Sequence, residues 1–271
     1  MVRIILKPRR EFKVPVEASS IVPENFCGKT LEQIEETRLW EGNEPIELGD
    51  AFKAEDESDG SADCSIILEG DAVKLRGVGK GMASGAITVK GDAGMRLGEG
   101  MRGGSINVKG DAGPWLGARM SGGRIEVEGC AGDYVGSALR GSTRGRRGGE
   151  IIVRGDAGNE VGCWMRNGLI RVGGDVGQFA GVHMLDGTIL IGGDSGGRVG
   201  ASMKGGRVVI LGEVGKILPS FSVEEIRNFV RVGEDRIAGP FYVFAGDLVE
   251  GGDGRIYVMK ERNSGLKIYE P

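Results

Sequence analysis

The sequence is poor in the residues from which most catalytic sites are built. It holds a single histidine, four cysteines and only 6% aromatic residues. No motif joins a serine or cysteine to His183, so no nucleophile–base–carboxylate triad is indicated, and His183 reads as a surface or partner-facing residue. Cys27, Cys64, Cys130 and Cys163 are far apart and form no Cys-x-x-Cys pair. That spacing argues against a zinc knuckle or an iron–sulfur centre in this chain and is read as structural thiols in a reducing cytoplasm. No apolar run approaches the roughly 20 residues that cross a bilayer. The start, Met1 to Arg10, has only Ile4, Ile5 and Leu6 before a basic turn, so a mature, soluble chain with no leader and no membrane partner is expected. The formal charge is −4 with both signs interleaved. Without a basic stripe to neutralise phosphates, nucleic acid is not an expected partner.

What is abundant is glycine, at 52 of 271 positions, against a usual share of roughly 7%. Its placement is periodic. Ile/Val-x-Val/Ile triplets, the first of them ending in Leu68, begin at Ile66, Ile87, Ile106, Ile125, Ile151, Ile170, Ile189 and Val208, separated by 21, 19, 19, 26, 19, 19 and 19 residues. Eight units therefore share one register, with a two-residue and a seven-residue insertion. Glycine columns follow the same period, one of them Gly85, Gly104, Gly123, Gly149, Gly168, Gly187 and Gly206. Ahead of that column stand Met82, Met101, Met120, Leu139, Met165, Met184 and Met203.

Nineteen residues are too few for a βαβ unit, and the triplets alternate as strands do. The expected fold is all-β: a single-stranded right-handed parallel β-helix of about eight 19-residue rungs, each about 4.8 Å above the last, with short α/β capping segments. Residues 1–64 form the N-terminal cap, 65–219 the β-helix, and 220–271 the segment covering the last rungs. Thr30-Leu31-Glu32-Gln33 has the form of a capping box and is expected to start a helix running to about Leu39. Ser222-Val223-Glu224-Glu225 reads as the start of a second helix. Phe241–Phe244 and Arg255–Met259 read as a strand pair with a turn at 251–254. An outward column, Asn107, Glu126, Ile152, Arg171, Leu190, Val209, becomes apolar toward the C-terminal rungs and should be covered by the C-terminal segment or by another chain.

Several motifs dissolve on inspection. Gly98-Glu99-Gly100-Met101-Arg102-Gly103 fits a dinucleotide pattern but leads into a strand triplet, so no helix N-terminus is there to hold a pyrophosphate. Gly28-Lys29-Thr30 resembles the tail of a P-loop, yet Pro23 stands where the first glycine belongs. Asp92, Asp111, Asp156, Asp175 and Asp194 form a column without the nine-residue period of calcium-binding repeats, and are read as turn residues accepting backbone N–H bonds. No catalytic, cofactor-binding or metal-ligating residue is assigned.

Two features are candidate interaction sites. The larger insertion carries Arg140, Arg144, Arg146 and Arg147, read as a projecting basic loop or, equally, a solvated one. The second is an outer column of Arg96, Trp115, Tyr134, Glu160, Phe179 and Arg198, with Trp164 and His183 four places further along their rungs. Aromatics with arginine on a flat wall have the composition of an interface core, although the chain's own termini could cover them.

These columns resemble the C-terminal β-helix domain of the glutamate synthase large chain, most tellingly at Ala131-Gly132-Asp133-Tyr134-Val135-Gly136. The entry Val14-Pro15-Val16-Glu17-Ala18, then Phe26-Cys27-Gly28-Lys29-Thr30 and Gly42-Asn43, resembles the C-subunit of formylmethanofuran dehydrogenase more narrowly. So does the arginine-rich insertion followed by Gly155-Asp156-Ala157-Gly158-Asn159-Glu160-Val161-Gly162. The resemblance covers nearly the whole chain. It implies a non-catalytic structural component of a cytoplasmic complex that reduces CO2 with methanofuran, or runs the reverse. Molybdopterin or tungstopterin, iron–sulfur clusters and amidohydrolase metals would then lie in partner subunits. The corresponding component of a bacterial formyltransferase/hydrolase complex is the near alternative. A stand-alone β-helix protein acting on or binding a polymer is the alternative of another class.

Overall fold

A computed structural model describes residues 2–57 and 64–269; Met1, residues 58–63 and residues 270–271, at the edges of the expected capping segments, lie outside the described residues. The chain is built mostly of strands with few short helices. Among the described residues its main sheet contains thirteen strands.

The triplets form the spine of that sheet. Cys64–Leu68, Ala86–Val89, Ser105–Val108, Arg124–Val127, Arg147–Val153, Asn167–Val172, Thr188–Ile191 and Arg207–Ile210 pair in parallel, each with the next. Ile66 stands opposite Ile87, Ile106 opposite Ile125, Ile125 opposite Ile151, and Ile189 opposite Val208. The 19-residue register of the sequence is thus the pairing register. A second ladder of parallel bridges joins Ala72, Ala93, Ala112, Ala131, Ala157, Val176, Ser195 and Val214 in order. Inward side chains of each rung, such as Ile106, Val108, Leu116 and Met101, are fully buried. Removing a side chain of this size from water contributes about 1.5–3 kcal/mol.

The chain's own terminal segments extend the sheet at both ends. Val2–Pro8 pairs in parallel with Cys64–Leu68 on one side and antiparallel with Phe52–Asp56 on the other. At the far end Gly254–Met259 pairs in parallel with Arg207–Ile210, placing Ile256 opposite Val208, so the C-terminal segment supplies a ninth triplet, Ile256-Tyr257-Val258. Asp235–Gly246 pairs antiparallel with that strand, at Phe241 to Met259 and Ala245 to Arg255, as the sequence suggests.

Ser222–Val232 is a strand and not a helix. It pairs antiparallel with Asp235–Gly246 to make a long hairpin, and that pairing outweighs the local helix-start signal of Ser222 and Glu225. The hairpin lies over the outer face of the last rungs, where Val209, Val230, Val232, Phe241, Val243 and Tyr257 form a second buried cluster flanked by Leu169 and Leu190. Arg171 fixes its tip, donating to the Val232 carbonyl at 3.0 Å and pairing with Asp235 at 2.7 Å. The apolar gradient of the outer column is therefore covered from within the chain. On an earlier rung the same column holds the half-buried Glu126, whose carboxyl Arg154 and then Arg124 hold below the usual carboxylate range.

The predicted helix at Thr30 exists, with both bonds of the capping box formed, but it spans only Leu31–Glu35. Leu39 belongs to a strand, Arg38–Glu41, where its side chain is buried. Cys27 and Cys64, expected to be thiols, are joined by a disulfide with 6.0 Å between Cα atoms. Packing of Cys64–Leu68 beside the short helix Pro23–Phe26 brings them together, a proximity that their separation in sequence conceals. Cys130 and Cys163 are free, the first exposed and the second buried.

Candidate partner-facing site

Three consecutive members of the outer column, Arg96, Trp115 and Tyr134, have φ of 61°, 60° and 67°, and Glu160, Phe179 and Arg198 continue it at 58°, 64° and 65°. This left-handed region costs a side-chain-bearing residue about 1–2 kcal/mol. The equivalent place one rung earlier is Gly77. Side chains that occupy a glycine-suited position point outward along one wall. Trp115 and Tyr134 stack with ring centres 4.6 Å apart and planes 10° from parallel. Arg140 lies across both rings, at 5.6 and 5.7 Å. Phe179 is further along the column and carries Arg198 at 5.1 Å. Trp164 and His183 form a parallel stack at 4.4 Å in the neighbouring column, where their φ values are also positive.

The four arginines of the insertion do not share one environment. Arg140, Arg144 and Arg147 are exposed. Arg146 is fully buried, which removes it from any surface that a partner could touch. Its Nη1 donates to the Leu169 carbonyl at 2.8 Å, and its Nη2 and Nε donate to the Gly148 carbonyl at 2.8 and 3.3 Å. Burial pulls the guanidinium down to about 9, so it keeps its charge at neutral pH.

The position of Arg146 corrects the methionine column. The carbonyl of Met82 accepts from Arg102 N, that of Met101 from Ser121 N, that of Met120 from Arg147 N and that of Arg146 from Arg166 N. Arg146, not Leu139, therefore occupies the methionine seat of its rung, and the extra residues are 139–145. The sequence carries a signal for this, since nineteen residues before Met165 is position 146. Glycines on both sides of the insertion allow either alignment, and hydrophobicity favours Leu139.

The aspartate column behaves as expected of hydrogen-bond acceptors. Oδ1 of Asp92 accepts from Asp111 N at 2.8 Å, Asp111 from Cys130 N at 2.7 Å, Asp156 from Asp175 N at 2.8 Å and Asp194 from Glu213 N at 2.7 Å. Each carboxylate thus secures the next rung. Among the described residues no group of three His, Cys, Asp or Glu side chains is placed to hold a metal ion, and no helix is long and apolar enough to cross a membrane.

One cavity of about 450 Å³ adjoins the aromatic wall. Trp115, Leu139 and Arg140 line it together with Arg76, Arg96 and Glu17, the last contributed by the N-terminal segment. Sequence reasoning does not connect Arg76 or Glu17 with this wall, because the strand Val16–Glu17 reaches it by pairing in parallel with Leu75–Arg76, some sixty residues away in the chain.

No protein-family model matches the chain. Over 96 residues it is 42% identical to the C-subunit of the tungsten-containing formylmethanofuran dehydrogenase 2 of Methanothermobacter thermautotrophicus, covering 35% of this chain and 36% of that protein. Over 98 residues it is 36% identical to the C-subunit of the molybdenum-containing formylmethanofuran dehydrogenase 1 of Methanosarcina barkeri, covering 36% and 33%. The chain thus spans about a third of the length of these curated relatives in the matched region. Its structure matches a chain of the formyltransferase/hydrolase complex (FhcABCD) from Methylorubrum extorquens, crystallised with methylofuran, with a TM-score of 0.84 and 31% identity over 94% of this chain and 99% of that one. With that extent of overlap at 31% identity, and with C-subunits as its curated relatives, the chain belongs to the C-subunit family of formylmethanofuran dehydrogenase.

Proposed function

We propose that this chain is a non-catalytic structural component of a formylmethanofuran dehydrogenase complex, the assembly that reduces CO2 with methanofuran to formylmethanofuran or runs the reverse. The observation that carries this reading is the near-complete structural overlap with a chain of a multi-subunit complex, at 31% identity. The interior supports it: among the described residues the inward positions are filled by buried Ile, Val, Leu and Met, and in one rung by Arg146, so the side chains themselves pack the stack. Tungsten or molybdenum, named in the relatives, would belong to partner subunits. The architecture that fits the two parallel ladders is a right-handed parallel β-helix over 65–219, capped by 1–64 and by 220–271. The residues assigned to contact with partners are Trp115, Tyr134 and Phe179 of the left-handed column and Arg140, Arg144 and Arg147 of the insertion.

The extent of the match to the formyltransferase/hydrolase chain favours a second reading, the equivalent component of that complex. Affinity purification of the tagged chain from its source separates the possibilities. Co-elution with large subunits containing tungsten or molybdenum is expected for the dehydrogenase, and co-elution with large subunits free of both metals for the hydrolase. A chain that elutes alone and degrades a polysaccharide would overturn both.

A further inference from the structure

We propose that the cavity beside Trp115 seats an acidic side chain of a partner polypeptide, with the stacked column beyond it receiving the flanking residues. The inference rests on the reading of this chain as part of a complex and goes further by naming what the partner brings.

Charge is the first argument. Three guanidiniums, Arg76, Arg96 and Arg140, face the cavity with one carboxylate, Glu17. Arg96 is shared with Glu99 at 3.7 Å, while Arg76 and Arg140 have no ion-pair partner among the described residues. Two planar donor forks around one cavity match the two oxygens of a carboxylate better than any neutral group. Beside these guanidiniums Trp115 Nε1 is buried and has no hydrogen-bond acceptor among the described residues. A donor left unanswered in this way marks a wall that is incomplete in the isolated chain.

Local backbone strain marks the same wall. Arg96, Trp115 and Tyr134 all occupy the left-handed region, although the preceding rung places Gly77 there and the repeat is glycine-rich throughout. Side chains kept at an unfavourable φ are expected where they are used.

Length points to a polypeptide instead of a small acid. The column from Trp115 to Phe179 spans three rung steps, about 14 Å at strand spacing. That is the reach of about four extended residues. Aromatic and arginine side chains of this kind dominate protein contacts when they are covered. The two walls of the cavity also come from different parts of the chain. Glu17 belongs to the N-terminal segment and Leu139 and Arg140 to the inserted residues, so the inserted loop completes the seat.

The test uses the full chain co-expressed with the other subunits of its complex. Arg76→Glu/Arg140→Glu should lower the amount of this chain recovered in the complex, measured by native mass spectrometry, at least ten-fold, with an unchanged melting temperature for the chain. Should that variant fail to fold, Arg76→Gln/Arg140→Gln replaces it, with a smaller loss expected. Benzoylphenylalanine placed at Leu139 should cross-link to a partner peptide containing Asp or Glu. Equal assembly of wild-type and double variant, or a cross-linked peptide without an acidic residue, would overturn the proposal. Micromolar binding of citrate to the full chain, abolished in the double variant while assembly is unchanged, would also overturn it in favour of a small polycarboxylate. Failure of the wild-type chain itself to assemble would instead sink the reading of this chain as part of a complex.

Discussion

The rungs that end in Met120 and in Arg146 place very different side chains in the same seat. A Cβ built on Gly149 would lie 2.7 Å from the terminal methyl of Met120, and one built on Gly168 would lie 2.8 Å from Nη2 of Arg146. Both side chains are long and unbranched, and both run beneath the glycine of the following rung. The methionine needs no partner there, whereas the arginine is accommodated only because the Leu169 and Gly148 carbonyls accept from it. The seat therefore demands a shape first and an apolar surface second, provided that the polar head is hydrogen-bonded.

The largest effect should come from closing the seat from above. Gly123 has φ of +81°, and a Cβ there would lie 2.7 Å from both the Gly104 carbonyl oxygen and the Met101 methyl. Gly123→Val adds a β-branched side chain in a conformation that such residues avoid, and the clashing backbone cannot turn away. A loss of about 4 kcal/mol, or a fall of roughly 10 °C in melting temperature, is expected by calorimetry. An unshifted transition would show that the glycine column is not conformationally required.

Substitutions at Arg146 separate shape from charge. Arg146→Ala removes the chain that fills the seat and leaves it empty, at a cost of about 2–4 kcal/mol. Arg146→Met makes this rung like its neighbours. Replacing a buried charge by an apolar side chain of similar length should be neutral or stabilising by about 1 kcal/mol. If Arg146→Met proved as damaging as Arg146→Ala, the guanidinium itself, and not the volume it fills, would be what the rung requires. Because burial holds Arg146 near 9 and below its unfolded value, the folded state releases this proton first as pH rises. Wild type should therefore gain stability relative to Arg146→Met as pH climbs above 9, read by denaturant unfolding at each pH.

The same rungs show which parts of the fold the sequence makes readable. Pairing register is legible because the parallel strands from Ala86–Val89 to Arg207–Ile210 repeat an Ile/Val-x-Val/Ile triplet that must face one interior, and a slip of one residue would expose it. The ninth triplet, Ile256-Tyr257-Val258, is hidden from a search by period, because the hairpin separates it from Val208 by 48 residues in place of 19. Ser222 carries a local helix signal that long-range pairing with Asp235–Gly246 overrides. Of the candidate site, the aromatic column is visible as a 19-residue recurrence. The buried state of Arg146 is not, since charge normally marks a surface and only the backbone alignment shows which residue faces inward. The wall formed by Glu17 and Arg76 depends on contacts distant in sequence.

The smallest expected effect concerns reactivity and leaves stability untouched. Cys130 and Cys163 lie in the rungs on either side of the insertion, the one exposed in the aspartate column and the other buried. Burial, reinforced by Glu160, pushes the Cys163 thiol up to about 12. At pH 8 only on the order of 1 in 10⁴ of such thiols is ionised, and the thiolate is the reactive form. Mass spectrometry after iodoacetamide treatment of the folded chain should find label at Cys130 alone. Unfolding without a reductant should add Cys163, and reduction should add Cys27 and Cys64, which the disulfide protects. Labelling of Cys163 in the folded state at a rate equal to that of Cys130 would mean that the rung beyond the insertion opens readily. The inserted residues would then weaken the stack locally, and Arg146 would not hold the two rungs together as its hydrogen bonds indicate.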